Sequence, residues 1–254
     1  MFLKCIASGS SGNSYAIIGD KEILLLECGI PWKKIVQGID FQPSKVVGCL
    51  ATHEHLDHLS AYKELLSAGI EIYSNDETAD KMEIISGEKI KGLAERIPFK
   101  IGSFTVTPFY VPHTTRDKDT GALIPCPNYG YLIEHEDMGK LLYLTDLEYC
   151  PYIFKNQRIE HFLIECNYIE DMVDHSQENY SHRLQGHASL DTCKGIITAN
   201  KTTALRTITL CHLSDTASGG ERILSEVQEV AGSRVRVQIA SAGMEPVSLK
   251  LCPF

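Results

Sequence analysis

The chain is 254 residues long, 43% hydrophobic and 22% charged, with a formal net charge of -9. That length can bury a sizeable core, and the acidic balance excludes a broad basic surface of the kind that grips nucleic acid without regard to sequence. The nine cysteines form no Cys-x-x-Cys pair and several sit in apolar runs (Cys49, Cys166, Cys211), a usage that suits free thiols in a reducing cytosol.

The opening Met1-Phe-Leu-Lys-Cys-Ile-Ala-Ser8 lacks a basic segment followed by a long apolar one, and no run reaches membrane-spanning length, so a soluble, cytoplasmic protein with no membrane partner is expected. Gly and Pro are dispersed and neither linker nor short repeat interrupts the chain, which predicts a single domain over 1–254. The loop Ala7-Ser-Gly-Ser-Ser-Gly-Asn13 offers glycines that could expose backbone N–H groups to a phosphate. Lacking the lysine and spacing of a P-loop, it reads equally as a tight turn. Ser8, Ser10 and Asn13 are the side chains it would bring to a substrate or to the surroundings of a site.

Strands are expected at 15–18, 23–26, 46–51, 104–111, 129–134, 141–145, 161–164, 206–211 and 235–240. Helical spacing falls at 58–68, 76–85, 189–199 and 219–231. This alternation predicts a layered α/β fold whose apolar strands are covered on both faces.

Directly after the run 46–51 comes Thr52-His-Glu-His-Leu-Asp-His58. His53 and His55 share a face of an extended segment, and Asp57 and His58 fall where a helix begins. Three imidazoles and a carboxylate suit zinc, or manganese or iron, and are too crowded to serve one small ion. Two adjacent metal sites are the natural reading, with a mononuclear site using part of the motif as the alternative.

Later runs also end on residues able to bind metal: His113 after 109–112, Asp146 after 141–145 and His212 after 207–211. Singly each is as readily a loop residue or a cap; together behind the motif they make four strand ends that could supply seven ligands to one site. Glu27 after 23–26 and Glu165 after 162–164 repeat the pattern and are expected to orient a ligating histidine or brace a loop. Arg183, Lys194, Lys201 and Arg206 could add local positive charge, although a solvated surface is their usual place. His135, His161 and His175 read as surface or packing residues.

With these residues assembled, the chain resembles the metallo-β-lactamase superfamily, whose His-x-His-x-Asp-His signature is complete at His53, His55, Asp57 and His58 and whose later motifs are met by His113, Asp146 and His212. The resemblance implies a four-layer αββα sandwich with a dinuclear site at one edge of the two sheets. It implies that His53, His55 and His113 hold one metal, Asp57, His58 and His212 the other, and that Asp146 bridges them. An acidic residue at 146, where true lactamases often have Cys, lies nearer the hydrolase and nuclease branches.

Within the superfamily the chain is similar over nearly its whole length to the YycJ/WalJ group of small bacterial and phage hydrolases. The similarity rests on Ala7 to Asn13, on Arg183-Leu-Gln-Gly-His-Ala-Ser189 and on Cys211-His-Leu-Ser214. Members of that group have been associated with 5′-to-3′ DNA exonuclease activity, and they usually carry Asp where this chain has Glu27.

The expected function is therefore a dinuclear-metal hydrolase, foremost a phosphodiesterase or exonuclease acting on DNA ends or single strands. Two divalent cations, zinc first and manganese or iron as alternatives, would carry a bridging hydroxide as nucleophile, since coordination lowers the pKa of water from about 16 towards 7. Asp57 and Asp146 would position it. His187, just before the helix 189–199, is the candidate to protonate the leaving group or contact phosphate, with capping or packing as its other reading. His182 and Arg183 are candidates to approach substrate. The alternatives are a hydrolase of cyclic nucleotides or other small esters, which fits the acidic charge, and a di-iron redox or metal-binding protein without hydrolytic function. A homodimer is compatible with this fold.

Overall fold

The computed structural model describes residues 1–117, 119–173, 184–214 and 219–251; the expectations for His175, His182 and Arg183 lie outside them. In chain order the strands are β1 (Phe2–Ala7), β2 (Ser14–Ile18), β3 (Ile23–Leu26), β4 (Val46–Leu50), β5 (Ile72–Ser74), β6 (Lys91–Gly92), β7 (Phe99–Ile101), β8 (Phe104–Val111), β9 (Thr114–Arg116), β10 (Leu123–Pro125), β11 (Asn128–His135), β12 (Gly139–Leu144), β13 (His161–Glu165), β14 (Thr207–Cys211), β15 (Arg236–Ile239) and β16 (Val247–Ser248). The helices are α1 (Trp32–Gly38), α2 (Leu56–Leu59), α3 (Tyr62–Ser67), α4 (Asp76–Ser86), α5 (Leu190–Asn200) and α6 (Gly220–Ala231).

Among the described residues the strands form two seven-stranded sheets, β16-β1-β2-β3-β4-β5-β6 and β15-β14-β13-β12-β11-β8-β7, and a small hairpin of β9 and β10. Side-chain alternation along the strands divides the apolar residues into three cores. Leu24, Leu26, Tyr15, Tyr131, Leu141 and Tyr143 meet between the sheets. On the outer face of the first sheet, Ile23, Leu25 and Cys49 pack on Ile35, Leu65 and Met82 of α1, α3 and α4. On the outer face of the second, Leu142, Leu144, Ile164 and Leu210 pack on Cys193, Ile197, Ile223 and Val227 of α5 and α6. Three cores between four layers make the αββα sandwich. No helix among the described residues is long and apolar enough to cross a membrane.

Each sheet runs antiparallel in one half and parallel in the other. Strands β3 to β6 are mutually parallel, as are β12 to β15. Parallel neighbours require crossovers, supplied by the helices except between β12 and β13, where the connection holds only a short 3-10 turn at Lys155–Gln157, and they deliver their C-terminal ends to one side. The pairing of Leu144 with Ile164 and of Glu165 with Cys211 therefore brings Asp146, Glu165 and His212 close together.

Helices α4 and α5 begin on side-chain caps, Asn75 accepting from the Thr78 N–H and Ser189 from the Thr192 N–H. The helix expected over 58–68 is instead two, α2 and α3, because tertiary bonding overrides periodicity at the join. The Ala61 N–H donates to the Cys28 carbonyl, 2.9 Å away, rather than into its own helix. Helix α1 follows Pro31, whose fixed φ suits a helix start.

His161 of β13 is 1% exposed, with Nδ1 2.7 Å from Thr207 Oγ1 and Nε2 3.1 Å from the carbonyl oxygens of Met138 and Leu249. Both carbonyls only accept, so Nε2 carries the proton. Burial pushes its pKa down to about 4, against the pull of the two carbonyls. The unfolded chain then binds more protons than the folded one between about pH 6.5 and 4, so stability is full above that window and falls through it, by up to about 3 kcal/mol. Urea midpoints at pH 7 and pH 4.5 are expected to diverge less in His161→Asn than in the parent; equal pH dependence would refute this.

Candidate metal centre

The turn from β4 into α2 is pinned on both sides by neighbouring loops. The Asp57 carbonyl accepts from the Asn13 N–H at 2.8 Å, and the His58 carbonyl accepts from the Cys28 N–H at 2.8 Å. Three residues that end strands on this side adopt left-handed backbone although none is glycine: Glu27 (φ 62), Asp146 (φ 50) and His212 (φ 52). Such conformations cost energy and persist where the surroundings fix them. Each turns a side chain back across the strand ends.

The result is two overlapping sets of donors. His53, His55, His113 and Asp146 offer ligand-type atoms within 4.8 Å of one another, and so do Asp57, His58, Asp146 and His212. Asp146 belongs to both, its Oδ2 lying 3.4 Å from His58 Nε2, 3.8 Å from His53 Nε2 and 3.9 Å from His113 Nε2. All seven residues expected from the sequence are brought together.

Every imidazole of the seven is fixed through one nitrogen by an outer partner. His53 Nδ1 meets Thr52 Oγ1 at 2.9 Å, His55 Nε2 meets Thr115 Oγ1 at 2.9 Å, and His113 Nδ1 donates to the Gly186 carbonyl at 2.8 Å. His58 Nδ1 lies 3.4 Å from Glu27 Oε1, and His212 Nδ1 lies 3.0 Å from Glu165 Oε1. The opposite nitrogens converge: His53 Nε2 is 2.8 Å from His55 Nδ1, which is 3.5 Å from His113 Nε2. His212 Nε2 is buried without a hydrogen-bond partner among the described residues. Nitrogens held outside and donors converging inside are what a transition-metal site requires, so the residues fit a pair of divalent cations.

The charges divide the cluster in two. Burial pushes the pKa of His53 well down, that of His55 down and that of His113 to about 3, so these three present neutral nitrogens. Burial also disfavours the charges of Asp146 and Asp57, but His212 and His58 outweigh it and hold both carboxyls below the usual range. Reciprocally, His58 is held well above its ordinary value and His212 rises to about 10, because Asp146 and its neighbours overcome desolvation. Protons thus occupy the side where a cation would replace them, and metal uptake should release them.

Glu27 and Glu165 are both fully buried. Glu27 Oε1 accepts from the Tyr143 hydroxyl at 2.9 Å and Oε2 from the Thr52 N–H at 3.3 Å. Glu165 Oε2 accepts from the N–H groups of Leu147 and Ala188, while Oε1 faces both His212 Nδ1 and His187 Nδ1, the latter at 2.8 Å. Glu165 also stands in a donor group with Asp146, His187 and His212, but its oxygens are committed to these hydrogen bonds. His187 stacks on His212 with ring centroids 5.2 Å apart. If Glu27 steadies His58, Glu27→Gln weakens metal affinity about 10- to 100-fold; competition against a chelator measures it, and parental affinity would remove Glu27 from that role.

The Ser8 to Asn13 loop braces the centre through its polar atoms. Ser8 Oγ accepts from the His212 N–H at 2.9 Å and from the Tyr15 hydroxyl at 2.8 Å, and Asn13 Oδ1 accepts from the Gly9 N–H at 2.9 Å. Ser10 is exposed at its tip. Thr52, Thr115, Tyr143 and Asn128, whose Nδ2 donates to the Asp146 carbonyl at 2.6 Å, are partners that sequence reasoning missed. Only Thr52, inside the motif, carried a signal.

Comparison with known proteins agrees with this arrangement. A family profile described as "Beta-lactamase superfamily domain" matches residues 35–213. Exodeoxyribonuclease WalJ of Streptococcus pneumoniae serotype 2 is 38% identical over 82 residues, 31% of this chain and 30% of that protein. Exodeoxyribonuclease YycJ of Bacillus anthracis is 31% identical over 86 residues, 32% of this chain and 33% of that protein. The matched stretch spans only about a third of the length of these curated relatives. Among solved structures, the metallo-beta-lactamase fold protein YhfI from Bacillus subtilis is similar with a TM-score of 0.72 and 19% identity, over 96% of this chain and 97% of that one. The family profile covers well over half of the chain and runs through every strand end from His53 to His212 that supplies a candidate ligand, and the chain therefore belongs to the beta-lactamase superfamily, with its metallo-beta-lactamase fold.

Proposed function

We propose that the protein is a cytoplasmic, dinuclear-metal-dependent phosphodiesterase that removes nucleotides from DNA ends or single strands. The observation that carries this reading is the double donor set sharing Asp146, with one nitrogen of each imidazole anchored outside it. His53, His55, His113 and Asp146 would hold one divalent cation and Asp57, His58, His212 and Asp146 a second, which would supply Lewis acidity and a water of lowered pKa. Zinc suits these donors, as do manganese and iron.

Asp57 and Asp146 position the reacting groups from fixed, largely buried carboxylates that need no reorganisation. His187 is the proton donor to the leaving alkoxide, Glu165 fixing its ring through Nδ1. The partial similarity to two exodeoxyribonucleases supports DNA as substrate, and free thiols at all eight described cysteines suit a reducing compartment. The net charge of -9 favours a second reading, hydrolysis of a cyclic nucleotide or other small ester at the same centre.

Metal-reconstituted protein incubated with labelled single-stranded and duplex DNA, cyclic mononucleotides and a chromogenic diester separates the two. DNA shortened from its ends is expected; DNA left intact while a cyclic nucleotide is opened would overturn the nuclease assignment. As proton donor, His187 makes a sharper prediction. His187→Ala should slow release of a nucleotide alkoxide about 100-fold or more, yet leave cleavage of a nitrophenyl diester nearly unchanged, because nitrophenolate leaves without a proton. Equal losses on both substrates would mean that His187 is structural.

A further inference from the structure

Beside the metal centre lies a cavity of about 460 Å³ whose walls include Tyr110, Pro112, His113, Cys126, Asn128 and Tyr152. Its size is that of a small-molecule site. His113 belongs both to this wall and to the first donor set, so an occupant of the cavity adjoins the reacting centre.

The walls are stiff and aromatic. The Tyr152 hydroxyl donates to Glu95 Oε1 at 2.8 Å and the Tyr110 hydroxyl donates to Glu77, so both rings are held by their polar ends. Tyr152 packs edge-on against Phe109 and Tyr110 tilts against Tyr129. Four prolines, Pro112, Pro125, Pro127 and Pro151, complete the lining and restrict the backbone that carries it. Asn128 stands behind this lining, fully buried, its Nδ2 donating to the carbonyls of Thr145 and Asp146, and so ties the cavity wall to the backbone of the shared ligand.

We propose that this cavity is a nucleobase subsite, taking the base next to the phosphodiester under attack. Flat rings fixed by their hydroxyls are stacking surfaces for a base. The Glu77 carboxylate in the wall repels a second phosphate, which assigns the cavity to the uncharged part of a nucleotide. The inference rests on the phosphodiesterase reading and adds to it the part of the substrate that is recognised.

The test is equilibrium binding of thymidine 5′-monophosphate, deoxyribose 5-phosphate and phenyl phosphate to the metal-loaded protein by calorimetry. Thymidine monophosphate is expected to bind at least about tenfold more tightly than the other two, the ratio that stacking of one base supplies, and Tyr152→Ala is expected to erase that preference. Equal affinity for the base-free phosphate, or failure of all three to bind, would overturn the subsite. Phenyl phosphate binding as tightly as the nucleotide would instead make the cavity a general aromatic pocket, which also overturns it. Degradation of an oligonucleotide by the same preparation reports separately on the phosphodiesterase reading: DNA hydrolysed by protein that binds the nucleotide no better than deoxyribose 5-phosphate sinks the subsite alone. The parent's preference between base-bearing and base-free ligands stands as a test even if Tyr152→Ala fails to fold.

Discussion

Asp146→Ala is expected to reduce hydrolysis on the order of 10⁴-fold, the largest loss from any single substitution here. Among the described residues no other side chain joins the donor set of His53, His55 and His113 to that of Asp57, His58 and His212, and its Oδ2 is the oxygen that three of the inward-facing imidazole nitrogens share. Its removal also leaves His58 and His212 without the carboxylate that does most to keep them charged. Two buried imidazoles without that partner cost stability when protonated, so the metal-free variant should deprotonate them and lose part of its proton release on metal binding. Metal content should fall from two ions per chain towards one or none, while far-UV circular dichroism stays that of the parent. Asp146→Asn keeps the shape but not the charge and should fall between. A variant that still holds two ions and turns over at a tenth of the parental rate would mean that the two donor sets do not depend on Asp146.

The candidate ligands were legible because the fold puts them where apolar runs stop. His53, His113, Asp146 and His212 each come one to three residues after a strand, a signal that survives without knowledge of the pairing. What holds them in place was not legible, because it depends on which strands become neighbours. Glu165 reaches His212 and His187 only because β13 pairs in parallel with β14. Tyr143 reaches Glu27 across the space between two sheets, and Thr115 meets His55 from a hairpin whose mostly exposed, polar sequence gave no strand signal. The four layers came from a resemblance, whereas periodicity alone gave only alternating strands and helices. Periodicity also ran through Ser60 and Ala61, where a hydrogen bond to Cys28 from outside the helix breaks it.

The same contact region leaves Gly29 the glycine with the least room for a side chain. A Cβ built there would lie 1.6 Å from the Asp57 carbonyl oxygen and 2.7 Å from the His58 nitrogen, both main-chain atoms of the ligand turn. The carbonyl cannot simply retreat, since it accepts from the Asn13 N–H at 2.8 Å. Nor can Gly29 move the other way freely, because its own oxygen is 2.3 Å from where a Cβ on Gly12 would stand, showing how closely the two backbones already approach. Gly29→Ala is therefore expected to destabilise by about 3 kcal/mol or more, at the upper end for overpacking. It should also slow hydrolysis about 100-fold, since displacement by an ångström misplaces a reacting group that much. Gly195→Ala is the control: that exposed glycine lies inside α5 with nothing within 4 Å of a new Cβ. Helix propensity there predicts a gain of up to about 1 kcal/mol and parental activity. Urea denaturation, metal titration and turnover on the three proteins decide the matter. If Gly29→Ala keeps the parental midpoint and two tightly held ions, the turn that carries Asp57 and His58 is more yielding than its hydrogen bonds imply, and the close packing of three main-chain segments is not what positions the second donor set.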